Sequence, residues 1–190
     1  MSTDVILCGV GGQGTVLASK LMATAAMDEG MPVKTAETIG MAQRGGSVFS
    51  HVRIGEGAPT SLVGPGRADL IIAFEPAEAV RQLPYLKSGG TVVVSDRPIV
   101  PVSASTGGPA YDLEALLGYL KAHVEHLVVV DAAAAAASLG SAKCLNVVLL
   151  GAAAHSGALG LTPAAVERAV RELVPPKYLD LNIRALAHTA

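Results

Sequence analysis

Residues 4–29, DVILCGVGGQGTVLASKLMATAAMDE, indicate the fold of this chain. The apolar run DVILC (4–8) ends in glycines, which is typical of a buried strand. Residues 15–29 are rich in helix formers, and Gly30 follows as a natural helix stop. PVKTAE (32–37) has the composition of a second strand, which completes a βαβ unit. Such a unit favours a parallel sheet with helices on its faces.

The remaining chain continues this alternation. Further strands are predicted in SVFSHVRIG (47–55), DLIIAFE (69–75), TVVVSD (91–96) and LVVVD (127–131). Helices are predicted at 76–86, 112–123, 132–139, 142–158, 161–174 and 177–188, with Asp112 and Thr162 as N-caps. Residues 97–110, rich in Pro, Gly and Ser, are expected to form a long loop. We therefore expect a single domain over 1–190: a Rossmann-like α/β fold with a mostly parallel sheet, helices on both faces and a helical C-terminal tail.

The composition suggests a subunit rather than a nucleic-acid-binding protein. Charged residues make up only 16% of the chain, against about 25% in an average soluble domain. A large subunit interface would explain this deficit, and so would an alanine-rich sequence bias. With a net charge of −2 and 3% aromatic residues, the chain lacks the basic footprint and stacking platforms of a nucleic-acid binder.

The cysteine count bounds the redox chemistry. The chain has two cysteines, Cys8 and Cys144, which is too few for the four thiolates of an ordinary iron–sulfur cluster. Neither a metal-ligand spacing nor a nucleophile elbow occurs in the sequence. Asp4 interrupts the region where a signal peptide would need an apolar core. These features predict a cytoplasmic chain with no metal of its own and no membrane span.

The glycine motif GVGGQG (9–14) lies between the first strand and the first helix. This is the context in which G-x-G-x-x-G binds a diphosphate at a helix N-terminus. The alternative is that the glycines only permit close packing of the helix on the strand. Separately, the amide of Gln13 is expected either to face a ligand or to cap the helix. Glu37 stands near the end of the second strand, where a ribose-binding acid would lie. The candidate cofactor-binding residues are therefore Gly9, Gly11, Gly12, Gln13, Gly14 and Glu37.

A second candidate region is the loop GMAQRGG before the strand that starts at Ser47. Arg44 offers a planar fork of donors for a phosphate or carboxylate, and two glycines permit an anion-binding nest of backbone N–H groups. His51, on the following strand, is an acid–base candidate. The alternative is a solvated turn beside a structural histidine. The candidate loop residues are Gln43, Arg44, Gly45, Gly46, Ser47 and His51, and no catalytic residue is assigned.

Three stretches carry a resemblance to a known family: VILCGVGGQGTVLASKLMATAAMDEG, ETIGMAQRGGSVFSHVRIG and GRADLIIAFEPAEAVRQLPYLKSGGTVVVSD. Together with CLNVVLLGAAA near the C-terminus, they resemble the gamma-type subunit of 2-oxoacid:ferredoxin oxidoreductases. The form GMAQRGGSV is most similar to the small (beta) subunit of the indolepyruvate type. The stretches cover most of the chain, whereas residues 97–126 carry little resemblance.

The resemblance implies a shared reaction in amino-acid catabolism. An arylpyruvate is decarboxylated on thiamine diphosphate, electrons pass through [4Fe–4S] clusters to ferredoxin, and the acyl group is transferred to coenzyme A as co-substrate. In this family the thiamine diphosphate, its Mg²⁺ and the clusters belong to the large subunit. This chain would therefore bind no cofactor alone, be inactive alone and complete the active site across an interface. Apart from the resemblance, a surface this low in charge should leave an apolar patch exposed, so we expect the isolated chain to form a homodimer.

Two other functions remain open from the residues themselves. One is a stand-alone NAD(P)-dependent oxidoreductase that uses the glycine motif for its cofactor and His51 for proton transfer. The other is a non-enzymatic nucleotide-sensing module. Against the first, the chain has little room for a separate substrate domain.

Overall fold

The computed structural model of the protein describes residues 2–38, 45–57, 59–101, 104, 107, 108 and 110–188. The strands are β1 (Thr3–Val10), β2 (Val33–Thr38), β3 (Ser47–Ile54), β4 (Ala68–Ala73), β5 (Leu86–Ser95) and β6 (His126–Val130). The helices are α1 (Thr15–Asp28), α2 (Pro76–Gln82), α3 (Leu113–His123), α4 (Ala132–Leu139), α5 (Leu145–His155), α6 (Pro163–Leu173) and α7 (Pro176–Leu186). A short 3₁₀ turn, Leu83–Tyr85, follows α2 where Pro84 interrupts the helix.

The six strands form one sheet in the order β2-β3-β1-β4-β5-β6. The pairs β1/β4, β4/β5 and β5/β6 are parallel, whereas β3 is antiparallel to both β1 and β2. The predicted βαβ unit is therefore divided, because β3 lies between β1 and β2. The expected mostly parallel α/β fold is confirmed.

Helices cover both faces of the sheet. One face, with Leu7 and Val52, packs against α1 and the C-terminal helices α5 and α6. The other, with Ile6 and Val92, packs against α2 and α3. Residues of the predicted strand β3 alternate between the two layers, since Val52 lies in the first layer and Phe49 packs against the second.

The direction in which the helices leave the sheet creates the candidate site. α1 follows β1 onto one face, and α2 follows β4 onto the other. The neighbouring carboxyl ends of β1 and β4 therefore form a topological switch point, which is where open α/β sheets bind ligands. Of the helices formed by the described residues, none is long and apolar enough to cross a membrane.

Candidate functional site

The side chain of Gln13 makes two hydrogen bonds that connect the glycine loop to the ends of two strands. Its Oε1 accepts a hydrogen bond from the Val10 N–H at 2.7 Å, and its Nε2 donates to the Phe74 carbonyl at 2.8 Å. The side chain thus joins the ends of β1 and β4. A Cβ at Gly9 would lie 2.7 Å from Gln13 Oε1, so Gly9 must lack a side chain for this bridge to form. The Gln13 side chain does not cap helix α1, whereas it does line the cleft beside the glycine loop, so contact with a ligand there stays a prediction.

The other glycines of the loop divide into two groups. Gly14, with φ +84°, lies against α5, and a Cβ there would approach Asn146 Nδ2 to 2.7 Å. Gly12, with φ +101°, has open space around it. Gly11 and Gly12 line a cleft, whereas Gly9 and Gly14 serve close packing. Close packing thus explains the need for Gly9 and Gly14, and ligand binding at the glycine motif stays a prediction.

The cleft beside Gly11 and Gly12 has a volume of about 580 Å³. Phe74 lines it from the end of β4, Arg97 from the end of β5, and Lys143 from the turn before α5. No carboxylate lines this cleft among the described residues, and in that part of the chain neither cationic side chain has a hydrogen-bond or ion-pair partner. Two unpaired cations facing a glycine loop make a site suited to an anionic ligand.

Asn146 is a buried polar residue that also lines this cleft. It is only 6% exposed, although the residues that follow it in α5 are apolar. Its Nδ2 lies 3.5 Å from the Gly14 carbonyl, which is a long hydrogen bond. Asn146 therefore connects the start of α5 to the start of α1 at the wall of the cleft.

Glu37 lies on the opposite side of the glycine loop. It is exposed at the end of edge strand β2 and lines a second cleft of about 450 Å³ together with Gly11, Gly12 and Thr38. In a dinucleotide-binding fold the ribose-binding acid ends the strand next to β1. Here β3 occupies the place next to β1, and Glu37 of β2 is paired with Ser50 of β3. A ribose-binding role for Glu37 stays a prediction.

The described end of the second loop contacts the first. The Gly11 N–H donates to the Gly46 carbonyl at 2.9 Å. The Ser47 hydroxyl donates to Glu78 Oε2 at 2.5 Å, and Gly45 has φ +79°. Gln43 and Arg44 lie outside the described residues. The two glycine segments are thus hydrogen-bonded neighbours.

His51 lies away from the cleft, in a buried cluster. It is 3% exposed, its Nδ1 accepts a hydrogen bond from the Val63 N–H at 3.1 Å, and its ring contacts Phe49 and Tyr85 edge-on. Burial, and to a lesser extent the charge of Arg53, lowers the pKa of His51. Its arrangement is that of a neutral structural acceptor, and a role at an interface stays a prediction.

Sequence reasoning missed Arg97, Lys143 and the buried Glu75 and Glu78 of α2. The signal for three of them was position, because Glu75 and Arg97 follow the buried strands β4 and β5 and Glu78 lies one turn further on. The carboxyl ends of parallel strands meet at one edge of a sheet, so these residues converge there. Lys143 stands in a turn between helices and carried no comparable signal.

Residues 4–190 match the family model described as pyruvate ferredoxin/flavodoxin oxidoreductase. The chain belongs to this family. One relative is indolepyruvate oxidoreductase subunit IorB of Archaeoglobus fulgidus. It is 40% identical to this chain over 98% of this chain and 92% of the relative. IorB of Thermococcus kodakarensis is 39% identical over 96% and 91%. The resemblance found in the sequence is confirmed.

Solved structures of family members share the fold. The gamma subunit of a keto/oxoacid ferredoxin oxidoreductase from Geobacter sulfurreducens superposes with a TM-score of 0.70 at 25% identity, covering 97% of this chain and 94% of that chain. The 2-oxoglutarate:ferredoxin oxidoreductase from Magnetococcus marinus also gives 0.70, at 19% identity, but this chain corresponds to only 30% of that one. The prediction that this chain is a gamma-type subunit of a 2-oxoacid:ferredoxin oxidoreductase is confirmed.

Proposed function

We propose that this chain is the small subunit of an indolepyruvate-type oxidoreductase, which decarboxylates arylpyruvates, transfers the acyl group to coenzyme A and passes electrons to ferredoxin. The observation that carries the substrate class is the 38–40% identity to IorB subunits over nearly the full length of both chains. A cytoplasmic location stays a prediction.

The redox centres of such an enzyme do not fit this chain. An iron–sulfur cluster requires four thiolates, whereas Cys8 and Cys144 are the two cysteines present, and both are buried. They also lie in different hydrophobic layers, on opposite faces of the sheet. Burial and the nearby Glu78 and Glu75 carboxylates raise the pKa of Cys8, which opposes thiolate formation. We therefore assign the clusters, the thiamine diphosphate and its Mg²⁺ to a larger partner subunit.

The contribution of this chain would be to hold the acyl acceptor. Coenzyme A carries phosphate groups, and the cleft beside Gly11 and Gly12 offers Arg97, Lys143 and no carboxylate among the described residues. The planar guanidinium of Arg97 can bind a phosphate through two parallel hydrogen bonds, while Lys143 acts as a point charge. Open space at Gly12 allows a ligand to approach the backbone closely. The chemistry of the cleft thus supports binding of a phosphorylated co-substrate.

The loop at Gln43–Ser47 is proposed to face the partner subunit or the ligand. The Gly11–Gly46 and Ser47–Glu78 hydrogen bonds hold its described end beside the glycine loop. A stand-alone NAD(P)-dependent enzyme is not favoured, because β3 separates β1 from the strand that carries Glu37.

Reconstitution tests this proposal. We expect the isolated chain to show no arylpyruvate oxidation and the complex with a large subunit to be active. In that complex, Arg97→Ala and Lys143→Ala should each raise the KM for coenzyme A by about tenfold or more, since a charged hydrogen bond is worth about 1.5–3 kcal/mol. Lys121→Ala removes an exposed lysine that lines none of the described clefts, and it serves as the control. Activity of the chain alone would refute the subunit role, and an unchanged KM in both cleft variants would refute the assignment of the cleft.

A further inference from the structure

The first turn of α2 carries two buried carboxylates, Glu75 at 1% exposure and Glu78 at 5%. Buried carboxylates are rare unless hydrogen bonds or charges compensate them. Glu78 accepts from the Ser47 hydroxyl and pairs with Arg81. Glu75 binds a different loop, and its two oxygens have separate partners.

One oxygen of Glu75 caps the helix. Glu75 is the N-cap residue of α2, and its Oε2 accepts from the Glu78 N–H at 2.9 Å. The other oxygen, Oε1, accepts from the Ile99 N–H at 3.4 Å and from the Tyr111 hydroxyl. Ile99 and Tyr111 stand near the two ends of the long segment between β5 and α3. A single carboxylate oxygen therefore joins both ends of that segment.

Through its hydrogen bond with the Ile99 N–H, Glu75 Oε1 also anchors the backbone on the C-terminal side of Arg97. Before Arg97, the segment is fixed by the Ser95 hydroxyl, which accepts from the Arg97 N–H at 3.1 Å, and by Asp96 Oδ1, which accepts from the Ala132 N–H at 2.9 Å. After Arg97, the first described hydrogen bond from the segment to the start of α2 runs from the Ile99 N–H to Glu75. Arg97 and Ile99 both line the glycine cleft. The backbone under the Arg97 guanidinium is thus anchored on both sides, and Glu75 supplies the second anchor.

The Tyr111 hydroxyl is well suited to strengthen this anchor. Burial, followed by the hydrogen bond to Glu75, raises the pKa of Tyr111 above its ordinary value. The phenol therefore keeps its proton and donates to Glu75 throughout the neutral range.

We propose that Glu75 is a positioning residue for the cleft: through Oε1 it holds the segment that carries Arg97 against the glycine loop and so sets the affinity for the phosphorylated co-substrate. The identity of the ligand rests on the proposed function, whereas the anchor rests on the hydrogen bonds of Glu75. Glu75 itself does not line the cleft, so its effect on the ligand passes through Arg97.

Tyr111→Phe tests the anchor, because it removes a donor to Oε1 and leaves the helix cap on Oε2 intact. We expect it to weaken coenzyme A and pyrophosphate binding to the purified chain, measured by titration calorimetry, by about five- to tenfold. This is less than the full effect of losing a hydrogen bond to a charged group, because Tyr111 acts on the ligand only through Arg97. In the reconstituted complex the KM for coenzyme A should rise while kcat is retained. Tyr119→Phe is the matched control, since Tyr119 is a half-exposed tyrosine that stacks on His123 and lines none of the described clefts.

A double-mutant cycle separates positioning from general stability. If Tyr111 acts through Arg97, then adding Tyr111→Phe to Arg97→Ala should weaken binding by no more than a further twofold. Glu75→Gln should also weaken binding, because the uncharged amide has a single acceptor oxygen and its NH2 group must face either the Ile99 and Tyr111 donors or the Glu78 N–H. Faster hydrogen exchange at the Ile99 amide in Tyr111→Phe should accompany the loss of affinity.

The ligand site and the positioning role of Glu75 can be refuted separately. If the wild-type chain binds neither probe, or if Arg97→Ala leaves binding unchanged, the assigned ligand site and this inference both fail. If Arg97→Ala weakens binding while Tyr111→Phe leaves it within twofold of wild type, the positioning role alone is refuted. The same holds if the two substitutions are fully additive.

Discussion

His51 shows how the surroundings of a single side chain change its interpretation. In the sequence it is a histidine on an alternating strand beside a cationic loop, which suggests acid–base chemistry. In the structure its Nδ1 is occupied by the Val63 N–H, and aromatic rings cover it. Its environment favours the neutral form, so its titration should affect stability rather than catalysis.

We predict that protonation of His51 destabilises the fold at acidic pH. The pKa of His51 is lowered below its ordinary value of 6.5 in the folded protein, so below pH 6.5 the unfolded chain binds this proton more readily. The stabilisation is therefore present above pH 6.5 and decreases as the pH falls below it, by at most about 1.4 kcal/mol per pH unit. Thermal melts from pH 7.5 to 5 should show a shallower loss of stability in His51→Gln than in wild type. Exposed His126→Gln is the control, and equal pH dependence in wild type and His51→Gln would contradict the prediction.

At the scale of elements, helix positions follow from local sequence, while helix contacts do not. The predicted caps are confirmed: Asp112 accepts from the Ala115 N–H at 2.9 Å, and Thr162 accepts from the Ala165 N–H at 3.2 Å. The capping role of Glu75 went unrecognised, although proline at the first helical position of α2 was recognised. Strand β5 begins at Leu86 rather than at 91, because its first residues pair with β4 across a register shift.

Gly151 shows what a helix contact requires. It lies in α5 where α7 crosses, and a Cβ there would come within 2.3 Å of the Leu186 carbonyl oxygen. Because this neighbour is backbone, it cannot rotate away. We predict that Gly151→Ala lowers the free energy of unfolding by about 1–3 kcal/mol, as overpacking does elsewhere.

The matched control is Gly118→Ala. Gly118 is also a helical glycine, in α3, but a Cβ there would meet nothing within 4 Å. This variant should raise the free energy of unfolding by about 0.5–1 kcal/mol through helix propensity alone. Urea denaturation of both variants measures the contrast, and a shift of the same sign in both would refute the packing argument.

At the scale of the whole molecule, an apolar groove adjoins the glycine cleft. Its volume is about 470 Å³, and the two depressions share Lys143 and Asn146. Leu17, Leu173 and Tyr178 line the groove and are 36–48% exposed. A low overall fraction of charged residues and exposed apolar side chains in a groove beside the candidate site are typical of a subunit interface.

We predict that the partner subunit covers this groove. Leu17→Lys should reduce co-purification with the large subunit strongly, since it places a charge in an apolar contact, and should leave the fold intact because the lysine stem can lie along the surface. Met27→Lys is the control on the same helix, at a position that is 58% exposed and outside the groove. Without the partner, wild-type chain should self-associate in light scattering and Leu17→Lys should do so less. Equal co-purification of both variants would show that the interface lies elsewhere.

The sequence by itself determined the features that depend on neighbouring residues: the strands and helices, the caps at Asp112 and Thr162, and the glycine loop between strand and helix. These follow from local rules, because glycine conformation, hydrophobic periodicity and capping act over a few residues. The tertiary structure alone decided that β3 enters between β1 and β2, that Gln13 bridges to Phe74, that Arg97 and Lys143 line one cleft beside the glycine loop, and that Glu75 binds the segment carrying Arg97. These depend on contacts between distant segments, and such contacts leave no periodic pattern in a single sequence.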